Sequence, residues 1–86
     1  MNKNDLRDVL TREGFDPRGY SLGHENGDEV LCLRFEDGVW SVYYSERGLR
    51  AGEKTFVEES AACEFFLSEL RSDPTTRIGW RSGFSM

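Results

Sequence analysis

The chain has little of what most chemistry is built from. Among its 86 residues there is one histidine, His24, and there are two cysteines, Cys32 and Cys63. Two cysteines make no disulfide framework and their spacing matches no zinc motif, so both are expected as core filler. A general base comes with a nucleophile and an orienting group. None can be assigned around His24, which sits in His24-Glu25-Asn26-Gly27-Asp28 and reads as an exposed turn residue. No apolar run approaches the roughly 18 residues that span a bilayer and no signal peptide is recognisable, which implies no membrane partner and a cytoplasmic location. Basic charge is short as well, with 11 Lys and Arg against 16 Asp and Glu, a net charge of −5. A nucleic-acid binder needs cationic groups to displace phosphate counterions, so this balance argues against one. An acidic surface suits a basic protein partner, or simply solubility.

What is present is enough large side chain for one small core, at 37% hydrophobic and 13% aromatic. A single domain over residues 1–74 is expected, followed by a tail, 75–86, that is either flexible or docked on a partner. The organising stretch is Glu29 to Gly52. Asp37-Gly38 is a strong hairpin signal, because a two-residue type I′ turn needs positive φ at both central positions, and these residues accept it. With Glu36 and Val39 flanking the turn, Phe35 faces Trp40, Leu33 faces Val42 and Leu31 faces Tyr44, all on one side of the sheet. The other side carries Cys32, Arg34, Ser41 and Tyr43. A slip of one residue exchanges the two sides, so the register is firmly held.

Around this hairpin the pattern predicts two helices. Asn2, or Asn4-Asp5, caps a first helix with Leu6, Val9 and Leu10 on one face. Gly14 and Asp16-Pro17 end it, with Phe15 folding back and the apolar stripe covering the sheet. Tyr20 and Leu22 alternate like a short edge strand, and Asn26-Gly27 is a further hairpin signal. Glu46 to Glu53 reads as a charged loop, and Lys54-Thr55-Phe56-Val57 as a third strand. Glu58 to Arg71 is the second helix, stopped by Asp73-Pro74, with Phe65, Phe66 and Leu70 towards the hairpin. The expected fold is therefore α+β. It has an antiparallel sheet of three to four strands with both helices on one face, and a core of Leu31, Leu33, Phe35, Trp40, Val42, Phe65, Phe66 and Leu70.

The run Gly38-Val39-Trp40-Ser41-Val42-Tyr43-Tyr44-Ser45-Glu46-Arg47-Gly48, followed by Phe56, Glu59, Ala62 and Cys63, resembles a family of small bacterial immunity proteins. These are encoded beside polymorphic toxins and neutralise them by direct binding. The likeness covers about residues 5–72, and Tyr-Ser-Glu-Arg-Gly is its most specific part. It implies a cognate toxin encoded in the adjacent gene as partner and occlusion of the toxin's cleft. Enzymes that degrade NAD, similar to the tuberculosis necrotizing toxin class, are a candidate toxin type. It also implies no cofactor and no catalysis by the chain itself.

Arg and Tyr are enriched at binding hot spots, and loops on rigid scaffolds carry binding residues. The expected partner-binding set is accordingly Tyr43, Tyr44, Glu46, Arg47, Arg50 and Glu53, with Trp80 in the tail. The Glu46-Arg47-Gly48 corner is a candidate for bracing rather than contact. Two rival readings stand beside this one. A generic interaction or regulatory module predicts the same fold with no toxin partner. A small enzyme needs Glu46, Arg47 and Glu53 gathered with His24, and nothing in the sequence places them together.

Overall fold

The structure, a computed structural model, describes residues 1–23 and 29–72. The turn around His24, and the tail with Trp80, lie outside the described residues. The first helix, α1, runs Lys3–Arg12 and starts in a capping box. Asn2 Oδ1 accepts the Asp5 N–H at 2.8 Å, and Asp5 Oδ2 accepts the Asn2 N–H at 3.2 Å. Gly14, at φ +78°, turns the chain out of the helix. Phe15 then folds back, its N–H bonded to the Leu10 carbonyl at 3.0 Å and its ring buried. A 3₁₀ turn, Pro17–Gly19, leads into the strands β1 (Tyr20–Ser21), β2 (Val30–Glu36), β3 (Val39–Glu46) and β4 (Leu49–Phe56), and then into α2 (Glu59–Arg71).

The α+β class stands as expected. The central register is also the expected one, with Phe35 paired to Trp40, Leu33 to Val42 and Leu31 to Tyr44. Asp37 and Gly38 take φ of 51° and 80°. Two features of the sheet differ from expectation. It is mixed, because β1 pairs parallel with β2 through Tyr20–Leu31 and Ser21–Cys32. Strands joined by a hairpin are antiparallel, so β1 and β2 are not a hairpin pair, and Asn26-Gly27 lies outside the described residues. Second, Glu46 to Glu53 is not an open loop. Arg47 and Gly48, at φ 52° and 81°, make a second two-residue turn, and β4 begins at once with Leu49. The expected third strand from Lys54 is only the far end of β4.

All helix packing falls on one side of the sheet order β1-β2-β3-β4. There α2 lies across β2, β3 and β4 and α1 packs alongside α2, its Leu6 and Leu10 buried in one core with Leu33 of β2 and Val42 of β3. The two helices run parallel and are tied at both ends. The Lys3 N–H donates to Glu59 Oε2 at 2.8 Å, and Arg71 Nε donates to Glu13 Oε1 at 3.0 Å. Between these layers Leu6, Leu10, Phe15, Leu22, Leu33, Val42, Ala62, Cys63, Phe66, Leu67 and Leu70 are buried together. Leu31, Trp40 and Phe65 border this core half-buried. Phe35 does not join it and is 59% exposed, a correction to the expected core. It occupies the expected side of the sheet near the end of β2 and packs on Trp40, with ring centres 4.8 Å apart, outside the buried cluster.

Candidate functional site

Within the β3–β4 hairpin arm, β4 is the strand whose side chains the core scarcely uses. Every residue of β4 before Phe56 is exposed. Strand pairing assigns its two sides. Ser45 pairs with Arg50 and Ser41 with Thr55 on the side away from the helices, while Tyr44 pairs with Ala51 and Trp40 with Phe56 on the helix side. Val42 pairs with Lys54 but Tyr44 with Ala51, so Gly52 and Glu53 together stand opposite Tyr43. This is a β-bulge, and Gly52 supports it with φ +62°.

The bulge assembles a latch on the side away from the helices. In a regular strand, residues three apart point to opposite faces. The extra residue brings Arg50 and Glu53 to the same face, where Arg50 Nη1 donates to Glu53 Oε2 at 2.8 Å. The same guanidinium forks onto Glu36 at the end of β2, Nη1 to Oε1 and Nη2 to Oε2, each at 2.9 Å. Its central carbon lies over the Tyr43 ring, 4.1 Å from the centroid. Beneath it Tyr43, Cys32 and Val30 form a second, small buried cluster. The hydrogen bonds from Arg50 hold the Glu36 carboxyl below the usual carboxylate range, and Glu36 in turn raises Arg50. Burial pushes the Tyr43 phenol upward. Neither Glu36 nor Tyr43 is thus poised near neutrality for proton transfer. The latch is suited to holding a shape.

Of the expected partner-binding residues, Tyr43, Arg50 and Glu53 come together here. Tyr44 points to the opposite side, where its hydroxyl donates to the Glu29 carbonyl at 2.9 Å. That bond fastens Glu29, a non-glycine residue at φ 62°, to the head of the arm. Glu46 is exposed and pairs with Leu49 across the turn, and Arg47 forms the turn itself. Trp80 lies outside the described residues.

Two residues of the arm's surroundings escape the sequence reading. Glu36 is found only once the β4 register is known. Leu49, 72% exposed directly after Gly48, carried a signal, since an apolar side chain in a charged stretch has no solubility role. At the other end of the helix side, a hollow of about 220 Å³ opens between Lys3, Leu22, Leu33, Phe35 and Trp40, below the usual size of a small-molecule site. Among the described residues no group of His, Cys, Asp or Glu is placed to hold a metal ion, and no helix is long and apolar enough to cross a membrane. No protein-family model, curated protein or solved structure matches the chain.

Proposed function

We propose that this chain is an immunity protein, a stoichiometric inhibitor that binds a cognate bacterial toxin encoded beside it and occludes the toxin's active-site cleft. The observation that carries the reading is the braced β3–β4 arm. It is closed by a two-residue turn, pinned by the Arg50 latch on one side and the Tyr44–Glu29 bond on the other, and exposed along β4. A rigid arm loses little conformational entropy on insertion into a cleft, which favours affinity. The toxin as partner comes from the likeness of Gly38 to Gly48 to the immunity proteins, and an NAD-degrading enzyme is the toxin type it favours. A toxin that acts on phosphorylated substrates has a basic cleft, and the chain's net charge of −5 would steer association with it. The protein acts in the cytoplasm, where an incoming toxin meets its substrate, and turns over no substrate of its own. Expression in cells challenged with the toxin from the neighbouring gene tests this. Protection of growth together with co-purification of the two proteins is expected, and unprotected cells would overturn it.

A further inference from the structure

The arm has an apolar side that the latch leaves unexplained. On the helix side, beyond the core, Tyr44, Leu49 and Ala51 are exposed next to half-buried Leu31. Glu29 and Glu46, both exposed, border this strip. Resting on the proposed function, the geometry points to this strip, with Leu49 as its anchor, as the surface that enters the toxin: it docks on an apolar wall of a cleft whose rim is basic.

The shape and charge of the strip select that occupant. The strip ends in a convex two-residue turn, which fits a concave partner surface and leaves a flat one mostly untouched. Glu29 and Glu46 flank its apolar centre on the β2 and β3 sides, with Arg47 at the turn, and a basic rim complements the two carboxylates. A second copy of this chain would set Glu29 and Glu46 against their own kind, within a molecule of net charge −5. The Tyr44 hydroxyl is engaged with the Glu29 carbonyl, so the ring is held in place before binding. Leu49 is the most exposed large apolar side chain of the arm, and covering it on binding is the largest apolar gain the strip offers.

The test compares two exposed apolar residues. Val57, 83% exposed, lies past the end of β4 and outside the strip. Leu49→Asp and Val57→Asp are titrated by calorimetry, as full chains, into the catalytic domain of the toxin from the adjacent gene. Circular dichroism and the unfolding midpoint check that each variant is folded. Leu49→Asp is expected to weaken binding by about 30-fold or more, the scale of a hot-spot residue. Val57→Asp is expected to stay within about twofold of wild type, as for a surface change away from the contact. If Leu49→Asp does not fold, Ala51→Glu places a charge in the same strip and carries the same expectation. Equal effects at 49 and 57, or wild-type affinity for both strip variants, would overturn the inference while wild-type binding keeps the immunity reading. A dimer of the free chain that Leu49→Asp dissociates would make the strip a self-interface and overturn it as well. If the wild-type chain does not bind the toxin domain at all, the immunity reading fails and the inference falls with it.

Discussion

Arg50 and Glu53 stand three residues apart on one strand and yet bond each other at 2.8 Å on the same face of the sheet. The bulge at Gly52 makes this contact available, while the pairing of Arg50 with Ser45 puts the guanidinium on the face of Glu36 and Tyr43. Arg50→Ala is expected to lower stability by about 1 kcal/mol, because the pairs are partly exposed and the cation–π contact is modest. Arg50→Lys should recover only part of the loss, since an ammonium has no planar fork to span Glu36 and Glu53. Gly52→Ala meets no neighbouring atom but must hold a left-handed backbone, at a cost of about 1 kcal/mol. Urea unfolding midpoints of the three variants check the set.

The same latch fixes a pH dependence. The Glu36 carboxyl is held below its ordinary value of 4.5 by Arg50, so its contribution to stability is present above that pH and is lost as the pH falls below it. Urea midpoints measured from pH 6 down to pH 3 should decline, and Glu36→Gln should flatten part of that decline by lowering the midpoint at pH 6 while leaving that at pH 3 little changed. An unaltered acid slope in Glu36→Gln would remove the latch from the account.

Core placement separates two phenylalanines of equal size. Phe66 is fully buried, whereas Phe35 is 59% exposed against Trp40. Phe66→Ala should cost about 3–5 kcal/mol, and Phe35→Ala about 1 kcal/mol or less. Chemical denaturation of both variants shows whether Phe66 belongs to the core and Phe35 lies outside it.

These two residues also show what the sequence made legible. Alternation across Asp37-Gly38 fixed the side of the sheet on which Phe35 and Leu33 fall, because side-chain parity is a local property. Which residues of that side end up covered is a tertiary fact on which parity is silent, so parity alone places Phe35 in the core beside Leu33. The second hairpin was hidden for a different reason. Arg47-Gly48 is a weaker turn signal than Asp-Gly. β4 is an edge strand with no buried alternation, built from Arg, Gly, Glu and Lys that strands otherwise disfavour. The candidate site suffered accordingly. Tyr43, Arg50 and Glu53 were visible as residue types, but Glu36 enters only through the bulged register of β4, which no local pattern encodes.

Both cysteines should be silent in the native protein. Cys32 and Cys63 are buried, and burial pushes the Cys63 thiol up to about 11. Dithionitrobenzoate at neutral pH is expected to label neither in the folded chain and both in denaturant. Rapid labelling of Cys63 without denaturant would place it outside the core between α1 and α2.

The most direct measurement is a titration of the chain into a fixed amount of active toxin, with toxin activity as the readout. Stoichiometric neutralisation predicts a linear fall to zero activity at a fixed molar ratio, with the toxin recovered unmodified and its substrate untouched by the chain alone. Activity that persists at molar excess, or that disappears at strongly substoichiometric amounts with the toxin covalently altered, would contradict the account.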